Sequence, residues 1–440
     1  MVVLAVLVAA LTFAVACAKT PPAPELPPVK VVPPVVTEGV DATPEETAEM
    51  TETPTTLPPT PTPTPEPIVI AMAGDVLTGE RIGPQIEAGK PENLLDAETA
   101  ELMRNADVTV INYESSISTR GSPADKTYTF RGKPEHTAFL RDYLGVDGAG
   151  LANNHTLDYG WDAFYDTLDY LREYDITPFG AGNNLAEAAA PYIAEVGDKK
   201  IAFFSSNQIL PGASWRAGEN SPGQLVSKEP SNLGALADGI KAARETCDYV
   251  IVYMHWGIER DTLPNTTQKT TAHNLIDLGA DIVIGAHPHV VQSFELYNGK
   301  PIVYSLGNFI FNSRNPQTLL LLITIEHDGT ITLKAVPCKM NGTLTYMVKG
   351  AEATELLDKW SGLSIECVFD ENGVLTAMPG KTPQSGYVAP KTTPTPTPTP
   401  TQTATPTPEE TTSPDNPAAT PTPVPTENVE EQTEPSAENT

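Results

Sequence analysis

The chain has 440 residues, 44 of them proline, and its 56 acidic against 27 basic side chains give a formal charge of −29. So acidic a balance argues against a nucleic-acid binder, which needs clustered Lys and Arg to neutralise phosphates, and proline without a glycine repeat excludes a collagen. The excess is uneven, because residues 18–67 and 391–440 hold 27 of the prolines and 13 of the net negative charges, which leaves residues 68–390 with an ordinary composition and enough length for a sizeable core.

Residues 1–17, MVVLAVLVAALTFAVAC, form an apolar run that ends in small residues and Cys17. The run falls short of the roughly 20 residues of a membrane-spanning helix and has the apolar region and cleavage context of a signal peptide. Ala14-Val15-Ala16-Cys17 resembles the bacterial lipobox, whose Cys becomes the lipidated first residue of the mature protein. Residues 1–17 are therefore expected to be a signal or lipoprotein segment. Residues 18–67, in which Pro alternates with Thr, Val and Glu, are expected to be an extended tether. The tail, 391–440, is a Thr-Pro repeat followed by an acidic stretch and is expected to be disordered. These flanks suit a bacterial cell-envelope protein held by its N-terminus at the outer face of the cytoplasmic membrane. Cys247, Cys338 and Cys367 show neither CxxC nor zinc spacing; a Cys338–Cys367 disulfide and three buried free thiols both remain open.

Between the flanks, β-branched runs alternate with helical stretches. A strand over Ile68–Met72 exits through Ala73-Gly74-Asp75. A helix over Leu95–Asn105 leads to a strand over Asp107–Asn112, with Glu114 just past its end. Glu135–Tyr143 reads as helical, and Gly148–Ala152 enters Asn153-Asn154-His155. Trp161–Tyr174 is amphipathic, with Asp158 as its expected N-cap, and Ile176–Phe179 is a short strand. Tyr192–Glu195 and Lys200–Ser205 form a hairpin about Gly197-Asp198. Helices over Leu233–Thr246 and Thr270–Leu278 alternate with strands over Tyr249–Met254 and Ile282–Ile284. Val290–Tyr297, Pro301–Ser305, Leu319–Glu326 and Thr330–Pro337 read as hairpins, with turns at Asn298-Gly299 and Asp328-Gly329. Alternation followed by a meander implies an α/β fold with a mixed sheet or two sheets.

The polar residues gather at strand exits, where open α/β sheets bind ligands. Asp75, Glu114, Asn154, His255, His287 and His289 offer carboxylates, imidazoles and a carboxamide, a donor set for divalent Mn, Fe, Zn or Mg without thiolate. A bend at Pro288 lets both imidazoles of His287-Pro288-His289 reach adjacent ions. The two acids supply charge to hold two cations roughly 3.5 to 4 Å apart, the arrangement that serves phosphoryl displacement. His155, facing elsewhere than Asn154, is left as the catalytic residue that protonates a leaving group. His136, His273 and His327 have no such companions and read as structural or surface residues.

The motifs Ala73-Gly74-Asp75, Asn112-Tyr113-Glu114, Ala152-Asn153-Asn154-His155 with Asp158-Tyr159-Gly160, His255-Trp256-Gly257 with Glu259, Gly285-Ala286-His287-Pro288-His289 and Tyr304-Ser305-Leu306-Gly307-Asn308-Phe309 resemble, in order and spacing, the CapA family of poly-γ-glutamate capsule synthesis proteins. That family is similar to the calcineurin-like metallophosphoesterases. The resemblance implies a domain over 68–390 with two mixed β-sheets sandwiched between helices. It implies Asp75 and His289 on a first divalent ion, Glu114 as the bridge, Asn154, His255 and His287 on a second, and His155 as the acid. Arg131, in Phe130-Arg131-Gly132-Lys133-Pro134, takes the place of a basic segment that contacts an anionic substrate. Two positions depart from the phosphoesterase pattern: Leu77 stands where Asp-x-His has its His, and Glu114 stands for an Asp. The expected function is an envelope-anchored, metal-dependent hydrolase of the phosphoesterase class. It would act on an anionic envelope polymer or a phosphorylated substrate in poly-γ-glutamate capsule biosynthesis. The alternative is a non-catalytic accessory factor that binds the polymer or its membrane-bound synthase.

Overall fold

The computed structural model describes residues 66–313 and 316–384; the leader with Cys17, nearly all of the tether and the tail lie outside them. Two mixed sheets form the centre. The larger has the strand order Leu344–Met347, Ile331–Asn341, Gln317–Ile325, Ile68–Val76, Val108–Tyr113, Gly148–Gly150 and Thr177–Phe179. The last four run parallel and the others antiparallel, because parallel neighbours need long crossovers and antiparallel ones only turns. A short strand, Asn308–Ile310, pairs with the end of Ile68–Val76. The second sheet has the order Phe294–Tyr297, Lys300–Val303, Ile282–Ala286, Tyr249–His255, Lys199–Asn207 and Tyr192–Val196, parallel at its centre and antiparallel at both edges.

Strand side chains alternate between faces, and the alternation sorts the core into three layers. Ile70, Met72, Val108 and Val110 of the first sheet meet Ile251, Tyr253, Ile282 and Ile284 of the second. Ala71, Ala73, Ile111 and Ala149 face outward onto Met103 of the helix Ala97–Arg104 and onto Phe164, Leu168 and Leu171 of the helix Gly160–Glu173. Val250, Val252 and Val283 face Leu236 and Ile240 of the helix Pro230–Thr246 and Leu275 and Ile276 of the helix Thr266–Leu278. The α/β arrangement of two mixed sheets between helices is the expected one. Among the described residues, no helix is long and apolar enough to cross a membrane.

Several local expectations are corrected. The first strand does not end at Met72 but continues to Val76, with a bulge. Glu135–Tyr143 is not one helix but a 3-10 turn, Pro134–His136, and a widened turn, Phe139–Tyr143, which set Phe139 and Leu140 into the core. Asp158 caps nothing: the helix starts after Tyr159 without a side-chain cap, and the Asp158 carboxylate is used elsewhere. In Val290–Tyr297 the regular strand is only Phe294–Tyr297, preceded by an isolated bridge between Val291 and Leu306. The helix Ala351–Leu363 was not anticipated; it sets Leu356, Leu357 and Trp360 against the layer between the sheets. Cys247, Cys338 and Cys367 are free, buried thiols, which closes the question of a Cys338–Cys367 disulfide, and burial pushes the Cys338 thiol up to about 12.

The bulge positions the site. Ala73 pairs with Ile111 and Asp75 with Asn112, so Gly74 is an extra residue in the first strand. An inserted residue shifts the pleat by one: Val76 rejoins the outer face of Ala71 and Ala73, and Asp75 turns to the face of Ile70 and Met72, toward the second sheet. No side chain fits at Gly74, because a Cβ would overlap the Gly307 carbonyl oxygen, the same oxygen that accepts from Asp75 N at 2.9 Å. Gly74→Ala is expected to destabilise the fold by about 1–3 kcal/mol or more through overpacking. Gly234→Ala, in a helix with open space around its Cβ, is expected to stabilise by roughly 0.5–1 kcal/mol. Urea unfolding of both variants checks the contrast.

Candidate metal centre

The pleat brings carboxylates and imidazoles face to face. In Val108–Tyr113 the residues Val108 and Val110 point between the sheets, so Asn112, and Glu114 two further on, point the same way. Glu114 N donates to Val76 O at 2.8 Å, which fixes Glu114 beside Asp75. On the opposing sheet Ile251 and Tyr253 set the phase for His255, which ends its strand facing Asp75 and Glu114. Ligand atoms of Asp75, Glu114 and His255 lie within 4.8 Å of one another, all buried.

The expected bend at Pro288 is made by its neighbours. His287 has φ 93° and His289 φ 58°, left-handed conformations that are costly for a residue with a Cβ and that cluster at functional sites. They turn the chain out of the strand phase at Ala286, so that the His287 ring sits 4.8 Å from that of His255 and 5.9 Å from that of His289.

Two subsets result, with Glu114 between them. In one, His289 Nδ1 lies 3.2 Å from Asp75 Oδ2 and 2.8 Å from Asn308 Oδ1. In the other, His255 Nε2 meets Asn154 Oδ1 at 2.7 Å, with His287 against the His255 ring. Glu114 Oε1 stands 3.9 Å from His255 Nε2 and 3.7 Å from His155 Nε2. All six candidate ligands and His155 are thus brought together. Arg131 is not hydrogen-bonded to any of them: its guanidinium lies over the Tyr159 ring at 4.1 Å and donates to Arg120 O at 3.4 Å.

His155 is held by contacts not visible in the sequence. Its Nδ1 donates to Asp158 Oδ2 at 2.6 Å, and Phe130 stacks on its ring with centroids 4.2 Å apart. Lys126 Nζ donates to Asp158 Oδ1 and to Asn154 O, each at 2.6 Å. Sequence reading did not single out Lys126, and it named Asn112 and Asn308 within motifs without giving them a role. Asn112 Nδ2 donates to Asp75 Oδ1 at 2.8 Å and lies 3.4 Å from Glu114 Oε2, and its position two residues before Glu114 on one strand face is the signal that marks it.

The electrostatics match a cation site. Burial, then the charge of Asp75, pushes the Glu114 carboxyl well above its usual range. Burial would push Asp75 up as well, but the neighbouring His289 and Asn112 hold it below its ordinary value. Burial and the nearby imidazoles hold His255 well below its usual value and His287 at about 4, so both are neutral, the form that binds metal. Burial likewise lowers His155. Glu114 Oε1 and His287 Nδ1 are buried without a hydrogen-bond partner, and Asp75 Oδ2 has only the ion-pair contact with His289. Buried polar atoms are ordinarily paired, and each left alone costs about 1–3 kcal/mol. Divalent cations would offset the buried charge and occupy these donor atoms, and the donor set of Asp75, Glu114 and His255 fits such an ion. Leu77 is fully buried in the apolar layer outside the first sheet.

The bacterial capsule synthesis protein PGA_cap family matches residues 69–313. The PGA biosynthesis protein CapA of Bacillus subtilis (strain 168) is 28% identical over 293 residues, covering 63% of this chain and 73% of that protein. The capsule biosynthesis protein CapA of Bacillus anthracis is 29% identical over 278 residues, covering 61% and 67%.

A carboxyl whose value is raised on folding stabilises the fold at low pH and loses that contribution as pH rises through the raised value. The metal-free protein is therefore expected to lose stability as pH rises above the ordinary carboxylate range. Glu114→Gln is expected to flatten this dependence and raise the metal-free melting temperature while weakening Mn2+ binding. Melting curves in chelator across pH, with metal analysis, check both halves.

Proposed function

The chain belongs to the PGA_cap family of bacterial capsule synthesis proteins, and on that premise we propose that it is a dinuclear-metal-dependent hydrolase of the phosphoesterase class acting in poly-γ-glutamate capsule biosynthesis. The observation that carries the reading is the division of the site into two donor subsets about a shared acid. Asp75 and His289 would hold one cation, Asn154, His255 and His287 the other, and Glu114 would serve both. Two divalent ions, when bound, lower the pKa of water and offset negative charge on a phosphoryl group.

The chain's own residues do the rest. His155 presents Nε2 toward Glu114, within reach of a leaving group seated at the acids. Asp158 fixes the ring through Nδ1 and partly offsets the burial that lowers the imidazole, which supports proton delivery by Nε2. Lys126 anchors Asp158 and the backbone of Asn154, tying the acid to the ligand loop. Phe130 and the buried wall limit water around the ring. Arg131, steadied over Tyr159, is a cation for the anionic part of the substrate. An anchor through Cys17 and the tether 18–67 would hold the domain at the outer face of the cytoplasmic membrane.

The accessory reading, binding of the polymer or its synthase without chemistry, draws on one observation, Leu77 in place of a ligand. Hydrolysis of p-nitrophenyl phosphate and bis-p-nitrophenyl phosphate with and without Mn2+ separates the two readings. The enzyme reading expects turnover that depends on Mn2+ and is lost in His289→Ala and Asn154→Ala. His155→Ala should lower kcat about 10²–10⁴-fold with metal content kept. Activity unchanged in the ligand variants would sink the catalytic assignment.

A further inference from the structure

We propose that Asn308 is itself a metal ligand, its carboxamide oxygen taking the place, beside Asp75 and His289, of the histidine that Leu77 replaces. The inference rests on the reading of this site as a metal centre. Leu77 is enclosed by apolar side chains and offers no donor. One strand over, Asn308 is the register partner of Asp75, is buried to 3% exposure, and directs Oδ1 to 2.8 Å from His289 Nδ1. The same nitrogen is 3.2 Å from Asp75 Oδ2, an oxygen otherwise without a hydrogen-bond partner. Oxygen donors around a six-coordinate ion with bonds of about 2.1 Å sit roughly 3 Å from their neighbours. Both separations are those of hydrogen bonds from His289 Nδ1, and they also match the spacing of neighbouring donors on one cation.

The backbone delivering Asn308 is rigid. Gly307 takes φ 73°, its N–H donates to Ser305 Oγ at 3.1 Å, and its carbonyl accepts from Asp75 N. A carboxamide ligand makes the first position harder and more oxygen-rich, which shifts its preference toward Mn2+ or Mg2+ relative to a site richer in imidazole.

The test is Mn2+ binding to the whole chain, by titration calorimetry against a competing chelator with EPR to count ions. The variants are Asn308→Ala, Asn308→Asp, His289→Ala and the double variant Asn308→Ala/His289→Ala. Asn308→Ala is expected to weaken one of two sites by more than about 100-fold, beyond the 10–100-fold that loss of an outer-shell partner costs. Asn308→Asp keeps an oxygen donor and is expected to keep both ions. In the His289→Ala background, Asn308→Ala is expected to weaken binding further. Should Asn308→Ala fail to fold by circular dichroism, Asn308→Leu, close in volume, takes its place. No further loss in that background would show that Asn308 acts only through His289 and overturn the proposal. Two ions bound with unchanged affinity in Asn308→Ala would overturn it alone, whereas no Mn2+ bound by the unaltered chain would overturn the metal reading with it.

Discussion

Two carboxylates, Asp75 and Glu114, sit fully buried in one place. Burying one charge is expensive and burying two of like sign more so. The metal-free chain meets this by splitting the pair: Asp75 stays ionised against His289, and Glu114 is pushed toward its protonated form. Nothing in the packing of the sheets requires either acid. Positive charge supplied from outside the chain would relieve both, and the neutral imidazoles and unpartnered donor atoms around them are consistent with it.

The fold places those groups through local breaks in regular structure. Gly74 inserts one residue into a parallel pair and turns Asp75 from the helix side to the side of the second sheet. His287 and His289 take left-handed conformations that break phase at the end of another strand. Such departures have an energetic cost and persist only where the surroundings over-determine them. Here the strands pairing with Ile68–Val76 and the close approach of Gly307 do so.

Around this framework, loops complete the constellation. Lys126 and Phe130 come from the connection after the second strand, Asp158 from the turn before a helix, Asn308 from a three-residue strand at the sheet's end. Each fixes a donor or an acid, and of the four only Phe130 also belongs to the apolar core. Loss of one of these contacts should alter the site before it alters the fold.

The layered α/β fold was legible from β-branched runs and turn pairs, since burial on two sheet faces imposes alternation on the sequence. The donor types were legible too, because carboxylates, imidazoles and a carboxamide at strand exits have few other uses in combination. Asp158 and the helix Ala351–Leu363 were not: an acid before a helix is compatible with capping and with a buried ion pair, and only the arrival of Lys126 and His155 decides between them. By itself the sequence determined which chemistry was available and roughly where along each strand it lay. The tertiary structure alone decided which atoms meet, because a one-residue bulge reverses a side chain's face and Asp75 and Asn308, 233 residues apart in sequence, become neighbours only through strand pairing.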